Sequence, residues 1–226
     1  MRGAQLVLVH GWGFDSGVWD PLRALMGNTV TRVHDLGFFG HPAEALPEST
    51  AITGEPVVAV GHSLGFMWLL HHRPFAWDAL VSVCGIPRFT AAADYPHGVA
   101  PQLLERMAAR MKREPRATVE DFRQRCGVGP VPQKNGEVGM DEARLGEGLD
   151  WLGQWDLRDS LAAETAPLLA LGGKEDEIVP WALTEEIYSH RPGTALYCAP
   201  GGNHGLPQTQ PEWCVERLHA FVTGLS

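Results

Sequence analysis

Short strand-like runs recur along the chain: Gln5–Val9, Thr29–Val33, Val57–Val60, Ala79–Cys84, Leu168–Gly173 and Ala195–Cys198. Each is bounded by glycine, proline or polar residues and is too short for a helix, so each reads as a strand. Between them the periodicity lengthens. Val18–Met26, the stretch after Gly65 to about His72, Pro180–Ser189 and Pro211–Leu225 all read as helices, and the polar stretch from His41 to Gly54 is expected to hold one more. Strand alternating with helix predicts an α/β fold with a mainly parallel sheet and helices on both faces.

The rhythm breaks between Arg88 and Trp155, where no strand-like run occurs. Pro101–Arg113 places Leu103, Leu104, Met107 and Met111 at helical spacing. Val119–Cys126 and Asp141–Leu152 follow as two further helices, separated by the glycine and proline breakers of 127–139. This predicts a core of residues 1–87 and 156–226 carrying a helical cap, residues 88–155, over the sheet edge.

At 226 residues the chain suits one domain with a sizeable core. A net charge of −9 argues against general nucleic-acid binding, which needs a basic footprint. The histidines form no HExxH or Cys/His pattern, so no metal site is expected, and no organic cofactor. Cys84, Cys126, Cys198 and Cys214 form no CxxC pair and are expected to be free thiols. The first apolar run, Leu6–Val9, is too short for a signal peptide, and no segment approaches the ~18 apolar residues of a membrane span. A cytoplasmic monomer is the expectation.

The chemistry gathers at strand ends. Val57–Val60 runs into Gly61-His62-Ser63-Leu64-Gly65, a Gly-x-Ser-x-Gly turn ahead of a helix-compatible run. Such an elbow presents a serine hydroxyl at the sheet edge, beside the free N–H groups of a helix start. An ordinary β-turn-α connection with an exposed serine is the plainer alternative. Gln5–Val9 ends in His10-Gly11-Trp12-Gly13, where glycines let a backbone N–H approach a ligand, as an oxyanion hole requires. A serine nucleophile needs a base, and the base needs an acid to hold its tautomer. Asp176 follows the strand Leu168–Gly173 and is the best acid, with Glu175 and Glu177 as competitors. His204, in the glycine-rich loop after the last strand, completes the order Ser, Asp, His and is the candidate base. His62 is expected to serve packing or the pocket instead. In this scheme Ser63 attacks an ester carbonyl, and the backbone N–H groups of Trp12 and Leu64 stabilise the oxyanion.

With these residues in place the chain resembles the α/β-hydrolase superfamily over essentially its whole length. The resemblance rests on His-Gly-Trp-Gly at 10–13, Asp35-Leu36 with Gly40-His41, Gly-His-Ser-Leu-Gly at 61–65, Asp176 before Ile-Val-Pro, and His204. Within it, Trp12 and the stretch Gly148-Leu149, Leu152 and Asp156-Leu157-Arg158 look most like the pimeloyl-[acyl-carrier protein] methyl ester esterases of biotin synthesis. That likeness implies cleavage of a methyl ester from a carrier-bound acyl chain. Two positions depart from the pattern. The antiparallel strands usual at the amino end of this fold are expected to be missing, and Phe66 stands where a second glycine is common, narrowing the pocket. Trp12, Phe66 and Phe122 are the foremost candidates to contact substrate, with Trp68 and the cap residues near Met107 to Phe122 also expected to shape the pocket.

The cap is locally basic. Arg106, Arg110, Lys112, Arg113, Arg116, Arg123, Arg125 and Lys134 stand against Glu114, Glu120 and Asp121. Arg110, Arg113, Arg116, Arg123 and Arg125 are therefore candidates to dock an acidic acyl-carrier protein, and a solvated helix face is the competing explanation. A general esterase of small free esters and a catalytically silent scaffold acting as a binding protein are the alternative functions.

Overall fold

A computed structural model describes residues 4–40, 55–131 and 139–225. The helix expected before Gly54, with His41, and Lys134 lie outside these residues. Strands β1 (Gln5–Val9), β2 (Val30–His34), β3 (Val57–His62), β4 (Ala79–Val83), β5 (Leu168–Gly173) and β6 (Thr194–Ala199) form one sheet in the order β2-β1-β3-β4-β5-β6. Every pairing in it is parallel. The four inner strands are buried at every residue, which is why their sequences are almost unbroken apolar runs. The edge strands β2 and β6 are only partly covered, and they carry the exceptions, Thr31, Arg32 and the exposed Tyr197.

Helices pack on the sheet in chain order. The stretch expected as one helix over 18–26 divides into a 3-10 turn, Ser16–Trp19, and α1 (Asp20–Leu25), with Pro21 in the first turn of α1. The side chain of Asp15 caps the 3-10 turn by accepting from Gly17 N–H at 3.0 Å. Next comes α2 (Leu64–His72), buried from Leu64 through Leu70 because it lies directly over the sheet.

Between β4 and β5 the chain forms α3 (Pro101–Met111), α4 (Pro115–Arg125), α5 (Glu142–Gln154) and α6 (Arg158–Ala163). Helix α4 begins before the Val119 start expected from apolar spacing. Pro115 sits in its first turn, where the missing N–H would have had no helical partner. Asp141 caps α5 by accepting from Arg144 N–H at 2.9 Å. Leu104, Met111, Val119, Phe122, Leu145, Leu149 and Leu152 join the buried core. The two ends of the segment meet where Arg88 and Asp156 form an antiparallel bridge and an ion pair.

After β5 come α7 (Trp181–Tyr188), α8 (Leu206–Thr209) and α9 (Pro211–Thr223). The four cysteines are free, three of them buried. Among the described residues no helix is long and apolar enough to cross a membrane.

One contact fastens the helical segment to the sheet. The buried indole of Trp12, just past β1, donates to Leu145 O at 2.8 Å. It fits because position 148 is glycine: a Cβ there would lie 2.7 Å from Trp12 Cδ1 and 2.9 Å from Phe38 Cζ. Gly148→Val is expected to lower unfolding stability by about 1–3 kcal/mol through overpacking. Denaturant titration of the two proteins measures this.

Candidate active site

The turn from β3 into α2 bends so sharply that its glycines are sterically required. A Cβ at Gly61 would overlap the backbone of Phe66, and one at Gly65 would overlap the carbonyl of Val9. Ser63, between them, is forced to φ 52° and ψ −120°, a region that costs a non-glycine residue about 1–3 kcal/mol. Its N–H is anchored on Val83 O at 2.9 Å. The hydroxyl is thereby presented at the carboxyl edge of the sheet.

Two further strand ends meet it. His204 Nε2 lies 2.9 Å from Ser63 Oγ, and His204 Nδ1 lies 2.8 Å from Asp176 Oδ2. The other Asp176 oxygen, Oδ1, accepts the N–H groups of Ile178 and Val179, each at 2.8 Å. Burial alone pushes the Asp176 carboxyl up. His204 and the two amides outweigh it, so its pKa falls below the ordinary value and the group stays ionised. Glu175 and Glu177 are exposed, so of the three carboxylates only Asp176 is brought to His204.

The turn after β1 presses against the same serine, and a Cβ at Gly11 would lie 2.8 Å from Ser63 Cβ. Buried polar groups hold that turn. His10 Nε2 lies 2.8 Å from the Leu36 nitrogen and 3.1 Å from Asp35 Oδ1. Asp35 in turn accepts from Ser16 N–H and Gly37 N–H, each at 2.9 Å. Burial pushes the Asp35 carboxyl up, but His10 and the amides of Gly37 and Ser16 hold it well below the usual carboxylate range. Leu64 is the first residue of α2, so its N–H has no acceptor within the helix.

Phe122, from α4, packs edge-on to Trp12 with centroids 4.9 Å apart, and its ring lies 6.3 Å from that of His204. Phe122 therefore sits beside the histidine, with the Trp12 indole packed against it. Phe66 does not join them: its side chain packs against Gly85 and, edge-on, against Tyr188. The elbow turn aims position 66 into the core, so the expected narrowing of the pocket by Phe66 is corrected. Trp68 packs against His34 and His72 instead, with the rings tilted.

The basic patch also needs correcting. Arg123 is only 3% exposed, with its guanidinium donating to Gly13 O at 3.0 Å and Gly129 O at 2.9 Å. A side chain so enclosed presents no charge to a partner. Its sequence signal is its place on the stripe Val119, Phe122, Arg123, the apolar face of α4. Arg110 pairs with Glu114 and Asp121, Arg116 with Glu120, and Arg125 with Glu177. Among the described residues Arg106, Lys112 and Arg113 form no ion pair.

His62 has a larger part than packing. It is fully buried and its Nε2–H donates to the backbone carbonyl of His204 at 2.8 Å, tying the elbow to the loop of the base. Cys84 was not singled out by spacing. Its thiol lies within 4.8 Å of donor atoms of both Asp176 and His204, a set able in principle to ligate a metal. The carboxylate and the imidazole there are already bonded to each other, so a cation would have to break that bond. Burial pushes the Cys84 thiol up, which disfavours the thiolate a metal needs.

Residues 6–217 match the Alpha/beta hydrolase family, and the chain belongs to it. Relatives that match it over nearly its whole length are named as esterases. It is 28% identical over 244 residues to a pimeloyl-[acyl-carrier protein] methyl ester esterase of Vibrio vulnificus, covering 98% of this chain and 95% of that one. A protein of the same name from Stenotrophomonas maltophilia is 30% identical over 247 residues, covering 100% and 95%. The fold is shared with an esterase from Exiguobacterium antarcticum at TM-score 0.77, 19% identity, and coverage of 98% and 93%.

Burial, reinforced by the charge of His204, holds the His62 pKa down to about 3, against 6.5 for an ordinary histidine. Below pH 6.5 the unfolded chain therefore takes up a proton that the native protein refuses, so stability falls as pH falls toward 3. Between pH 6 and 5, above the carboxylate range, wild type is expected to lose about 1 kcal/mol per pH unit more than His62→Gln. Urea unfolding at the two pH values checks this, and parallel slopes would contradict it.

Proposed function

We propose that the protein is a serine carboxylesterase that hydrolyses the methyl ester of a dicarboxylic acyl chain held on acyl-carrier protein, the pimeloyl ester of its named relatives. The single observation that carries the hydrolytic chemistry is the continuous hydrogen-bonded series Ser63 Oγ, His204 Nε2, His204 Nδ1 and Asp176 Oδ2. The substrate assignment is supported by the full-length similarity to esterases of that name.

In this mechanism His204 Nε2 takes the Ser63 proton as Oγ attacks the ester carbonyl carbon. Charge builds on the carbonyl oxygen and is met by the N–H groups of Trp12 and Leu64, each worth about 10²–10³ in rate. Asp176 keeps the Nδ1–H in place and stabilises the imidazolium. The same Nε2 proton passes to the departing alkoxide, which leaves as methanol. His204 then deprotonates a water that attacks the acyl carbon, Ser63 Oγ leaves with that proton, and the freed carboxylic acid gives its remaining proton to solvent. Trp12 and Phe122 line the acyl side, and the segment 88–155 acts as the cap over it. Arg106, Lys112 and Arg113, which among the described residues form no ion pair, carry the attraction for an acidic carrier.

A second reading, hydrolysis of small free esters, is favoured by the internal pairing of Arg110, Arg116 and Arg125, which leaves less charge for docking.

Ser63→Ala is expected to lower kcat by at least about 10⁴-fold on any ester, and Asp176→Asn by about 10³–10⁴-fold. Steady-state assays with a p-nitrophenyl ester test both, and an active Ser63→Ala variant would remove the mechanism. Reversing Arg106, Lys112 and Arg113 to Glu should lower the ratio of carrier-bound to small-ester kcat/KM about tenfold at low salt. An unchanged ratio would favour the small-ester reading.

A further inference from the structure

The turn after β1 is gripped from two sides by the helical segment. On one side the Trp12 indole donates to Leu145 O of α5 at 2.8 Å. On the other, Arg123 of α4 places Nη1–H on Gly13 O at 3.0 Å and Nε–H on Gly129 O at 2.9 Å, with the guanidinium 5.1 Å from the Phe14 ring centroid. Among the described residues Arg123 has no carboxylate partner. A buried guanidinium met only by carbonyls and a ring face is a costly way to fill space, and an apolar side chain would suit the stripe of Val119 and Phe122 without that cost. The guanidinium can do what an apolar group cannot: it fixes the direction of the Gly13 carbonyl.

That direction matters because Gly13 sits at φ +72°. Glycine reaches either sign of φ about equally, so sterics alone do not hold the peptides on its two sides. The Trp12 N–H belongs to the peptide two units before the one that carries the clamped Gly13 carbonyl, so the Gly13 torsions set how the two are oriented relative to each other. We infer that Arg123 is a positioning residue for the oxyanion turn, clamping Gly13 O so that the Trp12 N–H stays aimed at the oxygen that gains charge. The inference rests on the proposed role of the Trp12 N–H. It also makes the helical segment part of the catalytic framework rather than a cover alone, since α4 and α5 supply both anchors of the turn.

The test compares wild type, Arg123→Met, Arg123→Lys and Ser63→Ala on a p-nitrophenyl ester. Each variant's affinity for a trifluoromethyl ketone, which forms a tetrahedral adduct on an active serine, is also measured. In Arg123→Met, kcat is expected to fall about 10- to 100-fold with KM within twofold, the scale of a misaimed donor. Ketone affinity should weaken by the same factor as kcat/KM, and the pH profile should keep its shape because the base is untouched. A folded Arg123→Met with kcat within twofold of wild type, or with its loss confined to KM and ketone binding unchanged, overturns the clamp. Should Arg123→Met fail to fold, the same criteria apply to Arg123→Lys, whose single ammonium cannot span both carbonyls. An inactive Ser63→Ala beside an unaffected Arg123 variant sinks the clamp alone. An active Ser63→Ala sinks the esterase mechanism beneath it.

Discussion

Where β3 turns into α2, backbone runs so close to backbone that positions 61 and 65 have no room for a Cβ, and Ser63 takes a conformation other residues avoid. This contact sets the register of the whole site. Gly65 rests on the carbonyl of Val9, so the elbow and the end of β1 are fixed against each other. Through that contact the serine, the first amides of α2 and the turn at 10–13 share one rigid corner. The strain of about 1–3 kcal/mol at Ser63 is held by the fully buried strands on either side.

Onto that corner the rest of the chain adds groups from far away in sequence. Asp176 and His204 arrive on loops after β5 and β6, because parallel neighbours place all their carboxyl ends on one edge. His62 then ties the backbone of His204 to the elbow, and its neutral imidazole lets that bond stay buried. The helical segment reaches in with Phe122, Arg123 and the Leu145 carbonyl, so its packing bears on the turn beside Ser63. An acidic partner that draws on this segment would thus act close to the reacting atoms.

Much of this was legible in the sequence, for physical reasons. The inner strands of a parallel sheet must be apolar on both faces, so β1, β3, β4 and β5 stood out at once. The elbow glycines mark a close approach that only glycine permits, and loops after strands located Asp176 and His204. Helices α6 and α8 were missed because they are too short to show a period. Charge counting misled at Arg123, since a formula for net charge does not see that the side chain points inward. Phe66 misled for a related reason, because nearness to Ser63 along the chain does not fix which way a helix turns its side chain. The bonds of His62 and Cys84 depend on loops more than a hundred residues away, and no local pattern announces them.

The central claim is that Ser63 is the nucleophile, activated by His204. Its most direct test is to treat the native protein with a fluorophosphonate ester and locate the adduct by peptide mass spectrometry. The account predicts a single phosphonyl group on the peptide bearing Ser63, with labelling strongly slowed in His204→Ala. Label on another residue, or equal labelling without His204, would contradict it.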